Sequence, residues 1–360
     1  MRDELAGKLL NLLLDWSDEE RASWMLDLRR MAAYKYDRYE GFAPAERFFE
    51  RLARWLQQVD SLEDRRRMLN FVRQQLVFIS REEMDHIIAS VYPDIIKADL
   101  IREVALMLDR PWWQTGAVAS TLEFRTLRRK TLFLGLSDGA RLDRLRRSSP
   151  ELSHEQFWLA PELGEASSRR MLEKLQEALE KQDLSGEPRF ERVVLVDDFY
   201  GSGTSLIRHS DDGAAFQGKL VRTSDHLRQL EKDQVVSPAP QVTVVVYLAS
   251  EQAARHITET VGRFNEFWVT RFAYVLPADI SVGDEDLLHL SEWFYDDVLD
   301  DEHKGRTPLG YRDAALPLVI FHNTPNNSIS PLWADTAEHP RGKARHALFP
   351  RYERHHVDRP

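Results

Sequence analysis

The run Val193-Val194-Leu195-Val196-Asp197-Asp198-Phe199-Tyr200-Gly201-Ser202-Gly203-Thr204-Ser205 restricts the folds open to this chain more than any other segment. Its four leading β-formers show no polar alternation, as a strand buried on both faces of a parallel sheet requires. Two adjacent carboxylates follow at the strand's carboxyl end, the place where open α/β sheets bind ligands. Such a pair can accept hydrogen bonds from neighbouring sugar hydroxyls. Gly201 and Gly203 let the backbone turn tightly and approach a ligand. Ser202, Thr204 and Ser205 add hydroxyl donors. A helix beginning here would aim its first amides at a phosphate. An apolar run ending in Asp-Asp is by itself mostly structural; the complete pattern in an α/β setting is far more specific.

That setting is present. From about residue 118 short apolar strands alternate with helices, the order that builds an α/β domain. Strands are expected at 131–136, 157–160, 192–196, 242–248, 268–276 and 316–321, and helices near 167–182, 223–233, 250–263 and 284–299. The polar stretch 201–240 is expected to hold an insertion. A second loop, Ser137-Asp138-Gly139-Ala140-Arg141, follows the strand at 131–136. It is either an anion-binding turn in which Arg141 neutralises charge or a common Asp-Gly turn with a solvated arginine.

Residues 1–115 read as helices, near 4–16, 18–38, 44–59, 61–79, 81–91 and 94–108, without strand-like alternation. Ser17-Asp18-Glu19-Glu20 and Ser80-Arg81-Glu82-Glu83 have capping-box spacing, and Ser61-Leu62-Glu63-Asp64 is a weaker version. Pro44 and Pro93 are placed in first helical turns. The expected division is a helical domain over 1–115 and an α/β domain with a C-terminal extension over 116–360. Trp112 and Trp113, at the join, are expected to pack against the α/β domain.

Composition narrows the chemistry. The chain has no cysteine, which removes disulfides, thiolate metal sites and a cysteine nucleophile. No apolar run approaches the roughly 18 residues of a membrane span. The N-terminus lacks the cleavage site of a secretory leader, and Leu9, Leu10, Leu13 and Leu14 fit one face of a helix, so a cytoplasmic protein is expected. The formal net charge of −10 argues against nonspecific nucleic-acid binding by the chain as a whole. The tail is locally basic, with Arg341, Lys343, Arg345, Arg351, Arg354 and Arg359 against Glu353 and Asp358. It is either a solvated tail or a contact for nucleic acid or an acidic partner.

At residues 193–205 the sequence resembles the PRPP-binding signature of type I phosphoribosyltransferases: a hydrophobic strand, two acids, two variable residues and a Gly/Thr/Ser loop. Phe199-Tyr200 are bulkier than the usual pair, and Ser202 stands where threonine is common. The resemblance implies a type I phosphoribosyltransferase-like, Rossmann-like parallel sheet flanked by helices. It implies that Asp197 and Asp198 contact the ribose 2′ and 3′ hydroxyls, and that Gly201, Ser202, Gly203, Thr204 and Ser205, with Tyr200 beside them, hold the 5′-phosphate. Ser137, Asp138, Gly139 and Arg141 would take the pyrophosphate. The ligand would arrive as a Mg2+ complex, with no metal site of the protein's own, and Asp197, Asp198 and Arg141 would carry the chemistry. Several family members add a mobile basic loop. Its counterpart would be 144–161, with Arg146, Arg147, His154 and Glu155, unless that stretch is a surface linker.

Further on, His322-Asn323-Thr324-Pro325-Asn326-Asn327-Ser328, Pro331-Leu332-Trp333 and Leu348-Phe349-Pro350-Arg351 resemble the C-terminal part of phosphoribosyltransferase-like proteins of bacterial conflict systems, some of them retron-associated. The three asparagines could read a base edge or bond the backbone around Pro325. Trp333 could stack on a ligand or belong to the core. His346, His355 and His356 show no ligand spacing. The resemblance implies an effector acting on nucleotides in anti-phage defence, with a protein or nucleic-acid partner. The alternative is a non-catalytic module that senses PRPP or nucleotides or docks a partner.

Overall fold

The computed structural model describes residues 3–160, 165–210, 212–295, 307–335 and 345–351. Its strands are β1 (Val77–Ile79), β2 (Thr131–Gly135), β3 (Phe157–Leu159), β4 (Phe190–Tyr200), β5 (Arg208–His209), β6 (Phe216–Gln217), β7 (Val236–Ser250), β8 (Val269–Leu276) and β9 (Leu318–Ile320). The chain divides into two compact units: Met84–Pro277, and a second made from Met1–Glu83 together with Ala278–Pro360. The division expected at 115/116 falls within the continuous unit.

The continuous unit is built on a five-stranded parallel sheet, ordered β3-β2-β4-β7-β8. Helices Leu142–Ser148, Glu165–Lys181, Lys219–Lys232 and Glu251–Phe264 make the connections. Val193, Val194, Leu195 and Val196 of β4 are all buried, which explains why this strand shows no alternation. Leu132, Leu134, Val193, Leu195, Val244 and Val246 share one core with Leu175, Leu220 and Ile257 from the flanking helices. The expected strands at 131–136, 157–160, 192–196, 242–248 and 268–276 are all found in this sheet.

Helices Arg81–Ser90 and Lys97–Met107 are joined without a break through a π-helical turn, Val91–Ile96, that contains Pro93. Proline removes an amide donor inside a helix, and a wider turn absorbs the defect. Pro93 is therefore inside a helical run, not in a first turn; Pro44 lies ahead of the helix Phe48–Gln57. Trp112 and Trp113 are 53% and 67% exposed and touch each other edge to face, so neither is the packed boundary residue expected.

The discontinuous unit contains helices Asp3–Leu14, Asp18–Tyr34, Phe48–Gln57, Leu62–Gln74 and Glu285–Phe294. Both capping boxes form. Ser17 accepts from the Glu20 amide while Glu20 accepts from the Ser17 amide, and Ser80 and Glu83 exchange the same bonds. The predicted helix over 61–79 stops at Gln74, and residues 77–79 form β1. The strand predicted at 316–321 is β9, and it joins β1 in a two-stranded parallel ladder instead of the five-stranded sheet. Phe349 sits among Tyr36, Tyr39, Phe42, Phe48 and Phe78. Asn327 donates to the Tyr311 carbonyl, and the backbones of Asn323 and Asn326 bond Ile320 and Tyr311, so the Asn-rich segment makes turns. Trp333 is buried and its indole donates to the Ser328 carbonyl, which makes it core. Arg351 donates to the Thr324 carbonyl. Arg341, Lys343, Glu353, Arg354, Asp358, Arg359, His355 and His356 lie outside the described residues, as do positions 296–299 of the predicted helix 284–299.

Candidate functional site

The strand order fixes where a ligand can enter. From β2 the chain crosses to β3 on one side, and from β4 it crosses to β7 on the other. The loops leaving β2 and β4 therefore diverge, and the crevice between them is the switch point of a doubly wound sheet. Gly135 at the end of β2 is in register with Val196, so Ser137–Arg141 and Asp197–Ser205 rim the same crevice.

The two loops meet at the acidic pair. Ser137 Oγ donates to Asp197 Oδ1 at 2.6 Å. A Cβ on Gly139 would stand 2.6 Å from Asp198 Oδ2, so only glycine lets this turn come so close. The turn is held from beneath by the buried Tyr247, whose hydroxyl donates to the Ala140 carbonyl at 2.8 Å. Arg141 has left-handed backbone (φ 45°) and caps the helix Leu142–Ser148.

Asp197 and Asp198 play different parts. Asp197 is fully buried. Besides Ser137, it accepts from the Tyr200 hydroxyl and from Lys219 Nζ at 2.6 Å. Three protein donors thus hold this carboxylate. Asp198 is half-buried and accepts from the Phe199 amide at 2.8 Å. Burial, together with the charge of Asp197 beside it, pushes its pKa up to about 6. The Tyr200 hydroxyl is held well above its ordinary value by burial and then by Asp197.

Lys219 was not foreseen as a site residue. It opens the helix Lys219–Lys232, starting four residues before the helix expected at 223–233. Gly218 makes the approach possible: at φ 123° its Cα lies where a Cβ would be 2.5 Å from the Leu206 carbonyl oxygen. Lys219 Nζ also stands 5.4 Å from the centre of the Tyr200 ring. The one sequence signal available was a Gly-Lys pair opening the helix that follows the loop.

The loop after the acids is a compact turn. Leu206 and Ile207 both donate to the Gly203 carbonyl, the Ser202 and Thr204 hydroxyls are 3.1 Å apart, and Ser250 Oγ donates to the Gly201 carbonyl at 2.6 Å. Gly203 (φ 77°) packs against Ile257 and His256. No helix starts here. The β5–β6 hairpin intervenes, within the polar stretch 201–240. Arg208 from this hairpin donates to the Thr204 carbonyl at 3.2 Å, adding a cation beside the loop. Arg146, His154 and Glu155 of the stretch 144–161 line a separate cavity beside β3, while Arg147 is exposed.

Among the described residues no group of three or more His, Asp or Glu could hold a metal by itself. Adjacent carboxylates such as Asp197 and Asp198 are hard oxygen donors of the kind Mg2+ takes. No described helix is long and apolar enough to cross a membrane.

The parallel sheet, the switch-point crevice and the acid-acid-Gly-Ser-Gly loop define a phosphoribosyltransferase-like protein. A family model described as PRTase-CE matches residues 52–351, and the chain belongs to that family. No curated protein and no solved structure matches it.

Proposed function

We propose that the crevice binds PRPP or a closely related ribose phosphate as its Mg2+ complex, and that the protein transfers or removes the ribosyl group. The observation that carries this reading is the contact of Gly139 with Asp198, which brings the loop after β2 against the acids that end β4. Asp198 accepts from the ribose hydroxyls. Asp197 sets Ser137, Tyr200 and Lys219 around it. The hydroxyls and amides of 201–205, with Arg208 beside them, hold the 5′-phosphate. Asp138, the 137–141 amides and Arg141 face the pyrophosphate. In the reaction an acceptor's lone pair bonds to the anomeric carbon, and the bond from that carbon to the pyrophosphate oxygen breaks. The pyrophosphate leaves with the electron pair and the acceptor's proton passes to solvent. Charge on the leaving group is met by Arg141 and Mg2+. The setting is a cytoplasmic effector of anti-phage defence that acts on nucleotides, with a protein or nucleic-acid partner.

One observation favours a second reading, in which the site senses PRPP or a nucleotide without turnover. Asp197 already has three protein donors, so one of the two acids is committed to the fold. Calorimetric titration of Mg2+–PRPP into the wild type and Asp198→Asn, followed by a pyrophosphate-release assay with nucleobases and nucleotides, separates the readings. Binding lost in the variant, with release in the wild type, supports transfer. Binding without release supports sensing. No binding to the folded wild type removes both.

A further inference from the structure

A second cavity lies in the same unit, beside the edge strand β3. It has a volume of about 450 Å3 and is walled by helix Leu142–Ser148, the turn His154–Gln156, β3 and helix Glu165–Lys181. Its chemistry is distinct from that of the acidic crevice. Arg146 comes from one helix, and Arg170 and Lys174, four residues apart and so on one face, come from the other. Arg146 Nε is buried with no hydrogen-bond acceptor among the described residues. Against these cations stand Asp143 and Glu155. The Glu155 carboxylate is already engaged by the Ser153 hydroxyl, the first cause of its lowered pKa. The lining thus carries three cations, Arg146, Arg170 and Lys174, against two acids, in a chain whose net charge is −10.

The side formed by β3 is apolar. Phe157 is stacked on Phe133 with centroids 4.8 Å apart. Trp158, half-buried in the wall, is fixed by its indole N–H, which donates to the Glu155 carbonyl at 2.8 Å. Met171 completes this side. An aromatic platform in the same cavity as two guanidinium groups suits a planar ring that carries an anion. The volume falls in the range of small-ligand sites.

We propose that this cavity is a nucleotide site separate from the crevice, holding a nucleoside monophosphate with its base against Trp158 and its phosphate on Arg146 and Arg170. Lys174 is bonded to Glu177 at 2.7 Å and adds long-range attraction. The site stands apart from the PRPP reading, because none of its lining residues belongs to the crevice loops.

The test is titration of AMP, adenosine and inorganic phosphate, each alone, into the wild type, Arg146→Ala, Arg170→Glu and Asp198→Asn. AMP is expected to bind the wild type more tightly than adenosine or phosphate does. It should weaken at least tenfold in Arg146→Ala and Arg170→Glu, and bind Asp198→Asn as it binds the wild type. Arg170 is exposed, so Arg170→Glu keeps the test alive if Arg146→Ala fails to fold. The proposal is overturned if AMP does not bind the folded wild type, if both arginine variants bind it equally well, or if Asp198→Asn alone abolishes binding. The last result would place AMP in the crevice. Mg2+–PRPP titrated into Arg170→Glu reads the crevice separately, so failure of one site does not mask the other.

Discussion

Lys219 Nζ and Asp197 Oδ2 lie 2.6 Å apart, and the same carboxylate oxygen accepts the Tyr200 hydroxyl. The lysine is thus the counter-charge of a carboxylate that has no access to water. Removing it leaves a buried charge with neutral donors only. Lys219→Met is expected to destabilise the protein by about 1–3 kcal/mol, less than a fully buried pair would cost because the lysine is partly exposed. Urea denaturation measures it. A change within a few tenths of a kcal/mol would mean that Ser137 and Tyr200 suffice.

Asp198 gives a pH dependence of defined sign. Its folded pKa, about 6, stands above the ordinary 3.8. The native state therefore holds the proton more tightly than the unfolded state between these values. Stability from this group is complete below about pH 4 and is lost as the pH rises through 6. Asp198→Asn should melt at a higher temperature than the wild type at pH 8, and the gap should close towards pH 4. Equal melting temperatures at pH 8 would show that the folded carboxylate is not destabilised.

Ligand binding should run the other way. If Asp198 accepts from ribose hydroxyls as proposed, binding needs the ionised carboxylate, and Mg2+–PRPP affinity should fall by about tenfold from pH 7.5 to pH 5, beyond any change seen in Asp198→Asn. Parallel profiles for the two proteins would place the titrating group elsewhere.

Gly139→Ala probes the closeness of the two loops. A Cβ there meets Asp198 Oδ2 at 2.6 Å, so the loop or the carboxylate must move. PRPP affinity should drop tenfold or more while the circular dichroism spectrum is unchanged. Unaltered affinity would mean that the pair need not touch.

Phe349→Ala opens a cavity among five aromatic rings. Phe349 is fully buried, and large-to-small changes of this kind cost about 3–5 kcal/mol. Thermal melting should report the loss. A cost below about 1 kcal/mol would show that the cluster collapses around the gap.

The strand and loop of the candidate site were legible because their signal is local. Val193–Val196, the acids and the glycine loop are contiguous in sequence, and burial on both faces left four apolar residues in a row. The capping boxes at Ser17 and Ser80 were legible for the same reason. What escaped depends on distant partners. β1 is three residues long, too short to show alternation after an amphipathic helix, and its partner β9 lies at the far end of the chain. Lys219 lies ahead of the helix expected at 223–233, and the hairpin that carries it back to Asp197 separates it from the motif. The π turn at Pro93 reads in sequence as a break between two helices, whereas the backbone continues through it.

The β1–β9 ladder has a consequence for synthesis. The strand at 77–79 emerges from the ribosome long before 318–320, and Phe349 later still. At ordinary elongation rates the wait is some tens of seconds. Met84–Pro277, being continuous, can close its sheet during that interval. The N-terminal helices must meanwhile keep their apolar faces from aggregating, and this unit is complete only once residues 318–351 have emerged.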